Sequence, residues 1–365
     1  MDNTTAVGTS KRIIKESEDG DSPDVKRTKI ECTLSLYSPH PALADQGKHE
    51  VEVCVEGYEG SMSWNACLKN PGHANFILAS EFSLTHLPAQ YRDTDILKFI
   101  KLWVELTVKL SICATSQDRT VADPFYKYRG MPLIRSGTGK VTDVQIIEDD
   151  KFPCPCSQCI SSKDPCTKWA AIWVMTALHV VFDDIEVEKT SAIFHYDNED
   201  LTTKKNMTTL YGCRVVDSNR HGDWCKFECA THDLEFATQI NNALTPLMGL
   251  AEMIQERYRD DVNINMAIIA SHPHGCAKYV TVGEWREMET FENKKENLAW
   301  TTYTYSTGTC KGSSGAPVWI LGPDRSNLYA YYSHVHSEGG DHTKGEPNKS
   351  GAGDVSKKWD WGEDA

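Results

Sequence analysis

The sequence predicts a mostly β protein with minor helical extensions, and three observations support this. Val104–Ser116 alternates between apolar and polar residues, which is the period of a half-buried strand. Glu50–Val55 is also strand-like, and Trp173–Val181 is an apolar run of the kind that forms buried strands. The hydrophobic fraction of 40% over 365 residues allows one or two domains with a substantial core.

Two short segments are predicted as helices within this β pattern. Asp95–Leu102 mixes polar and apolar residues and lies within residues 31–103, where we find no recognisable motif. We interpret that stretch as an N-terminal extension of unknown role. Leu244–Arg257 is predicted as a surface helix between the two halves of the main domain.

Charge and hydropathy exclude several classes of protein. The formal net charge of -14 argues against a protein that coats nucleic acid, because phosphate binding needs clustered Lys and Arg. No apolar run approaches the roughly 20 residues of a membrane helix, so no membrane partner is expected. The polar N-terminus lacks the apolar core of a signal peptide. These observations favour an intracellular, cytoplasmic protein and leave its oligomeric state open.

Both ends of the sequence are predicted to be flexible tails. Residues 1–30 are rich in Asp, Glu, Lys and Ser, a composition typical of disorder. Within them, Lys11-Arg12 and Lys26–Lys29 resemble a bipartite nuclear localisation signal, and a solvated charged tail is the alternative. Residues 341–365 are rich in Gly, Lys, Asp and Trp and are expected to be flexible.

The stretch Cys310–Val318 reads Cys-Lys-Gly-Ser-Ser-Gly-Ala-Pro-Val and is the strongest functional signal. Such a turn can hold the hydroxyl of Ser314 at the tip of a tight bend. The backbone N–H groups of Gly312 and Ser314 could then converge beside it as an anion-binding pocket. A Ser/Gly/Pro-rich turn without a chemical role is the alternative.

Two further residues could complete a catalytic group with Ser314. His179 stands near the end of the Trp173–Val181 run, and Asp233 heads a short alternating segment that is predicted as a strand. A serine hydroxyl becomes a nucleophile when an imidazole takes its proton, and a carboxylate fixes the tautomer of that imidazole. Alone, each residue is more often a core histidine or a turn aspartate. Together, in the order His, Asp, Ser, they favour nucleophilic catalysis.

These residues lie in motifs that resemble those of the trypsin-like (chymotrypsin-fold) serine peptidases of the PA clan. Thr176–His179 is similar to the family's Thr-Ala-Ala-His, and Thr231–Leu234 stands where its Asp-Ile-Ala-Leu stands. Cys310–Pro317 is similar to Cys-x-Gly-Asp-Ser-Gly-Gly-Pro, and Gly137–Val141 resembles a strand that opens many members. The resemblance implies two six-stranded antiparallel β-barrels over residues 104–340, about 104–237 and 260–340, with the active site in the cleft between them.

The resemblance also implies a role for each residue. His179 is the general base and then acid, Asp233 orients it, and Ser314 attacks the scissile carbonyl. The amides of Gly312 and Ser314 form the oxyanion hole. Ser313 is the rival nucleophile, and it replaces the aspartate that binds the new N-terminus after activation of secreted relatives. Activation of that kind is therefore not expected.

The resemblance bears on specificity as well. Gly308 replaces the aspartate that gives trypsin relatives their preference for Lys and Arg. Thr309 and a downstream His-x-His, of which His336 is favoured over His334, resemble the residues with which viral and glutamate-specific relatives bind Glu or Gln at P1. Hydroxyl and imidazole groups can donate to a carboxyl or amide oxygen. We therefore expect a preference for Glu or Gln at P1, with edge-strand histidines as the alternative.

The 13 cysteines are read as free thiols rather than a disulfide framework, because no secretion signal is seen. Close pairs suggest a structural zinc site made of Cys156, Cys159, Cys225 and Cys229. Buried thiols without metal are the alternative. Catalysis itself needs no cofactor.

The sequence thus predicts a trypsin-like serine endopeptidase that forms an acyl-enzyme and acts on a protein or peptide. One alternative is a trypsin-fold scaffold that binds a protein partner with little or no turnover. The other is a structural metal-binding protein with an accidental triad.

Overall fold

A computed structural model describes residues 41–54, 61–200, 205–293, 298–322, 334–341 and 344–354. The predicted disordered tail of residues 1–30, with its basic pairs, lies outside these ranges, as do residues 355–365. Among the residues described, no helix is both long and apolar enough to cross a lipid bilayer.

The described part of the N-terminal extension includes two short strands and two α-helices. They are β1 (Glu52–Val53), α1 (Ser61–Asn65), β2 (Ile77–Leu78) and α2 (Thr94–Glu105). The side chain of Asp93 caps the N-terminus of α2 by accepting a hydrogen bond from the amide of Asp95. One face of α2 is buried, and its Phe99 ring lies 4.2 Å from the ring of Trp319 in the second barrel. The extension therefore packs on the barrels as part of the same core.

Six strands form the first barrel, and short helices lie between them. In chain order these elements are β3 (Thr107–Ile112), β4 (Arg135–Glu148), α3 (Ser157–Ile160), β5 (Lys168–Thr176), α4 (Asp184–Val187), β6 (Thr190–Phe194), β7 (Thr208–Asn219) and β8 (Trp224–Thr231). The strand order is β4-β3-β6-β7-β8-β5, and pairing of β5 with β4 closes the barrel. Strand β1 adds to the outside of β4.

Two consecutive helices lead to the second barrel, α5 (Leu234–Leu244) and α6 (Leu247–Arg257). The barrel strands are β9 (Met266–Ser271), β10 (Tyr279–Asn293), β11 (Leu298–Tyr305), β12 (Pro317–Leu321), β13 (His334–Glu338) and β14 (Asn348–Ser350). Their pairing makes a ring in the order β11-β14-β13-β12-β9-β10, with β11 returning to β10. Strand β2 adds to β10, and β15 (Gly353–Asp354) adds to β11.

The all-β prediction with two six-stranded antiparallel barrels is confirmed by this pairing. The protein has a chymotrypsin-like fold. Two boundaries differ from the prediction. The C-terminal flexible tail was expected from residue 341, whereas Asn348–Ser350 closes the second barrel. The segment after Thr231 was expected to be a strand, and instead α5 begins at Leu234.

Candidate active site

Three side chains from separate loops meet in the cleft between the barrels. His179 follows β5, Asp223 lies in the turn between β7 and β8, and Ser314 precedes β12. Nδ1 of His179 is 2.7 Å from Oδ2 of Asp223, and its Nε2 is 2.7 Å from Oγ of Ser314. The hydroxyl of Ser337 donates to the same Oδ2 of Asp223. This is the hydrogen-bond chain that a serine nucleophile requires.

Asp233, which the sequence suggested as the orienting acid, does not belong to this group. Its side chain accepts a hydrogen bond from the amide of Phe236 at 2.9 Å and caps α5. A carboxylate at a helix N-terminus satisfies donors that the helix leaves free. The structure therefore brings together His179 and Ser314 as expected and puts Asp223 where Asp233 was predicted.

A local signal for Asp223 exists in the sequence. Two strand-like runs flank Asn219-Arg220-His221-Gly222-Asp223, which has the composition of a hairpin turn. The backbone of Asp223 takes a φ of 53°, in the left-handed region that Asp tolerates better than most residues. That turn points the carboxylate at His179, whose own amide donates to Oδ1 of Asp223 at 3.1 Å.

Burial sets the protonation of the pair. Burial lowers the pKa of His179 to about 4 and outweighs Asp223, which raises it. Burial raises the pKa of Asp223, but the charge and hydrogen bond of His179 bring it down to about 2. At neutral pH the site holds a neutral imidazole beside an ionised carboxylate, which is the form that a general base needs.

The predicted oxyanion loop has the required shape. Gly312 has a φ of 92°, and a Cβ there would lie 2.4 Å from the carbonyl oxygen of His272, so only glycine fits. The hydroxyl of Thr138 donates to the carbonyl of Gly312 at 2.8 Å, and the amide of His274 donates to the carbonyl of Lys311. These contacts hold the loop although Ser313, not an aspartate, precedes Ser314.

Ser313, the rival nucleophile, faces away from His179. Its Oγ accepts from the amide of Cys310 at 3.1 Å and lies 3.2 Å from Oγ of Ser271. Both Ser313 and Ser314 are fully buried, but only Ser314 reaches the imidazole.

The site is occupied by the chain's own residues 48–53. The carbonyl oxygen of Glu50 accepts hydrogen bonds from the amides of Gly312 at 2.6 Å and Ser314 at 3.2 Å. The amide of Glu50 donates to Oγ of Ser314 at 2.8 Å. The ring of His49 stacks on that of His179, with centroids 3.9 Å apart. The extension thus places a peptide segment directly against Ser314 and His179.

The side chain of Glu50 enters a pocket lined by polar groups. Its Oε1 lies 2.6 Å from Nζ of Lys69, and its Oε2 lies 2.8 Å from Nε2 of His336. Nδ1 of His336 is in turn 2.6 Å from the hydroxyl of Tyr305. Burial alone raises the pKa of Glu50, but Lys69 and His336 together lower it well below its usual range. Ser314 therefore lies beside a pocket that holds a carboxylate.

The three predicted substrate-binding residues differ in position. His336 contacts the Glu50 carboxylate directly, whereas Thr309 reaches it through Lys69, which donates to Oγ1 of Thr309 at 2.9 Å. His334 lies away from the pocket, and its Nε2 is 3.0 Å from Oγ1 of Thr301. Lys69 was missed because the extension carries no motif and reaches the pocket only through tertiary contacts.

Next to the pocket, a cleft of about 850 Å³ runs past the triad. His49, His179 and Asp223 form one wall, and Trp300 and Lys349 lie on the opposite barrel. A cavity of this size is large enough to hold a small ligand or several side chains.

The predicted zinc ligands do not meet as a group of four. Cys225 and Cys229 are fully buried in β8, where burial raises the pKa of each thiol above its usual value. Cys156 and Cys159 instead cluster with Cys154 and His232. Nε2 of His232 is 3.4 Å from Sγ of Cys159 and 3.9 Å from Sγ of Cys156. The physical reason is that β8 turns Cys225 and Cys229 into the core.

A second cluster was not anticipated. It consists of Cys67, His73, His274 and Cys310, whose potential ligand atoms all lie within 4.8 Å of one another.

Comparison with known proteins gives only distant likenesses. No family profile matches the sequence, and no curated protein shows significant similarity to it. The active form of the Rv3671c protease from M. tuberculosis shares 12% identity, covering 73% of this chain and 82% of that one, with a TM-score of 0.35. The HtrA-type protease AlgW with a tripeptide shares 11% identity, covering 70% of this chain and 58% of that one, with a TM-score of 0.34.

A third match is the apo MamO protease domain from Magnetospirillum magneticum. It shares 10% identity, covering 67% of this chain and 90% of that one, with a TM-score of 0.30. At such TM-scores a likeness supports no conclusion about this chain. The fold assignment rests on the strand pairing, and any function must be argued from the site.

Proposed function

We propose that this protein is a serine endopeptidase with the triad His179, Asp223 and Ser314. The observation that carries the proposal is the continuous chain of two 2.7 Å contacts through the imidazole of His179. The His179 imidazole is neutral at physiological pH because burial lowers its pKa. It can therefore accept the proton of Ser314 when the hydroxyl attacks.

In the proposed mechanism, Oγ of Ser314 attacks the scissile carbonyl while Nε2 of His179 takes its proton. The amides of Gly312 and Ser314 stabilise the resulting oxyanion, a contribution of about 3–4 kcal/mol per donor in such sites. His179 then protonates the leaving amine, and an acyl-enzyme on Ser314 remains. Water activated by His179 hydrolyses that ester. Asp223 keeps the imidazole in the required tautomer throughout.

We further propose a preference for Glu at P1. The pocket beside Ser314 holds the Glu50 carboxylate between a lysine and a histidine. Charge-assisted hydrogen bonds of this kind are about twice as strong as neutral ones, so Glu should be preferred over Gln. This sharpens the sequence-based expectation of Glu or Gln.

A digest of a peptide library tests both parts. We expect cuts mainly after Glu by the wild-type chain and none by Ser314→Ala. Cleavage mainly after Lys, Arg or large apolar residues would refute the specificity. Loss of all cleavage in wild type, with the fold intact, would refute the peptidase.

One observation favours the second candidate function, a binding scaffold with little turnover. The part of the cleft at Ser314 is occupied by the chain's own residues 48–53, which contact both barrels. A scaffold would keep this peptide docked and uncut. The same digest separates the two functions, because a scaffold leaves every peptide intact.

We propose a structural zinc ion at Cys154, Cys156, Cys159 and His232 in place of the ligand set expected from sequence. Three thiolates and one imidazole are a common tetrahedral set, and the amide of Cys159 donates to Sγ of Cys156 at 3.4 Å. Thiolate sites need reduced cysteines, so this proposal goes with an intracellular location. Metal analysis of the wild type and Cys159→Ala tests it, and an unchanged zinc content would refute it.

A further inference from the structure

We propose that the first substrate of this peptidase is its own chain, which Ser314 cuts between Glu50 and Val51. The proposal rests on the proposed function and names a particular bond. The mature enzyme would begin at Val51 and keep every barrel strand, together with Lys69 of the specificity pocket.

The docked segment is paired with the enzyme on both sides of this bond. On the N-terminal side, the amide of Gly339 donates to the carbonyl of Lys48 at 2.9 Å. On the C-terminal side, Glu52 and Val53 pair antiparallel with β4 at Ser136 and Arg135. Addition of an extended peptide to sheet edges is a common way of fixing a peptide's register. The backbone is therefore held across both barrels with Glu50 at Ser314.

The carbonyl of Glu50 is placed for attack. Its oxygen accepts from both oxyanion amides, and the amide nitrogen of the same residue is 2.8 Å from Oγ of Ser314. The carbonyl carbon is one bond from that oxygen and two bonds from that nitrogen, so these contacts place it near Oγ. The carboxylate of Glu50 fills the specificity pocket at the same time. Glu50 thus occupies the oxyanion hole with its carbonyl oxygen and the P1 pocket with its carboxylate.

The reaction balances without any additional reactant except water. Oγ of Ser314 forms a bond to the carbonyl carbon of Glu50, and His179 takes the serine proton. The C–N bond to Val51 breaks as His179 gives that proton to the Val51 nitrogen. Water then hydrolyses the Glu50–Ser314 ester, and the free serine and a new carboxylate at Glu50 result.

The side chain of Gln46, on the N-terminal side of the scissile bond, forms hydrogen bonds with Val51 on the C-terminal side. Its Oε1 accepts from the amide of Val51 at 2.8 Å, and its Nε2 donates to the carbonyl of Val51 at 2.9 Å. The first contact orients the nitrogen that leaves. Both contacts hold the cut ends together, so the product must be assayed under denaturing conditions.

The test follows the purified full-length chain by denaturing mass spectrometry over a range of protein concentrations. We expect a product whose first residue is Val51 in the wild type and none in Ser314→Ala. The first-order rate should be the same at every concentration, because the segment lies in its own active site. Absence of a Val51 product, or a rate that rises with concentration, would overturn the proposal.

Two variants make the test specific. Glu50→Lys should slow the cut by about tenfold or more, because lost charge-assisted hydrogen bonds and repulsion from Lys69 disfavour docking. Glu81→Gln, an exposed acid in the same extension, should cut at the wild-type rate. A Glu50→Lys chain that is cut as fast as the wild type would also overturn the proposal.

Failure here and failure of the proposed function give different results. If library peptides are cut after Glu but no chain begins at Val51, self-cleavage alone is wrong. If neither is cut by folded protein, the peptidase itself is wrong.

We also propose a second structural zinc site at Cys67, His73, His274 and Cys310, on independent evidence. Sγ of Cys67 is 3.5 Å from Sγ of Cys310, which is 3.4 Å from Nε2 of His73. These separations are close to the edges of a tetrahedron with about 2.3 Å Zn–S and 2.0–2.1 Å Zn–N bonds. Nε2 of His274 faces the group and is buried, and it has no hydrogen-bond partner within the described ranges.

The surroundings of His274 support a ligand role. Its Nδ1 is 2.9 Å from a carboxylate oxygen of Glu52, which fixes the tautomer that leaves Nε2 free for metal. Cys310 lies two residues before Gly312. A zinc ion here would join the N-terminal extension to the oxyanion loop.

Metal content and thermal unfolding test this site. Cys67→Ala and His73→Ala should each lose about one zinc ion per chain, and each should leave the Cys159-dependent ion in place. Cobalt-substituted protein should show the absorption of a tetrahedral site with two thiolates. Unchanged zinc content in both variants would overturn the site.

Discussion

Asp223 contacts His179 at two points, Oδ2 with Nδ1 at 2.7 Å and Oδ1 with the backbone amide at 3.1 Å. A carboxylate held in this way fixes both the tautomer and the orientation of the ring. Nε2 is thereby left to accept the proton of Ser314.

Exchange of Asp223 for Asn should lower kcat by about 10⁴-fold, because an amide favours the wrong imidazole tautomer. Asp233→Ala is the matched control. It removes only the α5 cap, and we expect about 1 kcal/mol of lost stability with unchanged kcat. Peptide hydrolysis and urea unfolding measure the two effects. If Asp233→Ala were the inactive variant, the assignment would be wrong.

Gly339 should control the depth of the P1 pocket. A Cβ at this position would lie 2.4 Å from Cδ of Glu50, so Gly339→Ala fills space that the carboxylate needs. We expect kcat/KM for Glu peptides to fall by about 100-fold or more, while a small fluorophosphonate still labels Ser314. Gly249→Ala, in open space on α6, should match wild type. An equal loss of labelling and peptide cleavage would argue for a general disruption instead.

Lys69 should favour Glu over Gln. Its Nζ lies 2.6 Å from the carboxylate of Glu50. Lys69→Ala therefore removes a positive charge that stabilises the carboxylate of Glu but not the neutral amide of Gln. We expect kcat/KM for Glu peptides to fall by about tenfold, with a smaller change for Gln peptides. Matched peptides differing only at P1 measure the ratio, and an unchanged Glu/Gln ratio would count against the role.

Self-cleavage and the hydrolysis of added peptides should lose their rates in acid at different pH values. With the segment docked, burial lowers the pKa of His179 to about 4 against the opposing charge of Asp223, and the charges of His49 and Arg119 lower it further. The imidazole of His179 therefore stays neutral in mildly acidic solution, and the rate of self-cleavage should decline only as pH falls through about 4. After the segment leaves, water reaches the ring and its pKa should rise toward about 6.5. Hydrolysis of added peptides should therefore decline at higher pH than self-cleavage, and a decline of both at the same pH would contradict this.

Glu186 should be essential for stability. Its carboxylate lies 2.7 Å from Nε of Arg119 and 3.0 Å from Nη2 of Arg135, and all three side chains are fully buried. Arg119 also donates to the carbonyl of His179 at 3.2 Å. Glu186→Gln leaves two buried guanidinium groups without a counter-ion and should cost about 3–5 kcal/mol in urea unfolding. Glu188→Gln, at an exposed position, should change stability by less than about 0.5 kcal/mol.

The sequence predicted the fold and two of the three residues at the site, because those features are local. The turn that places Ser314 and Gly312 is determined by consecutive residues. The same is true of the strand that ends near His179. The orienting acid is different, since it is selected by where a hairpin tip arrives in space. Asp233 had the favourable motif position, but a helix begins there and uses its carboxylate.

Long-range contacts account for the remaining differences. Glu50 and Ser314 are 264 positions apart in sequence, and no local sequence pattern in the extension predicts their contact. The zinc prediction failed in detail because Cys-x3-Cys on a strand puts both thiols on one face, here the buried one. His232, adjacent to the helix cap, completes the first cluster in their place.

Labelling with a fluorophosphonate, followed by peptide mapping, tests the central claim most directly. We predict that wild-type protein is labelled at Ser314, that Ser314→Ala is not labelled, and that Asp223→Asn is labelled far more slowly. Label on Ser313, no label on the folded wild type, or equal labelling of Asp223→Asn would contradict the account.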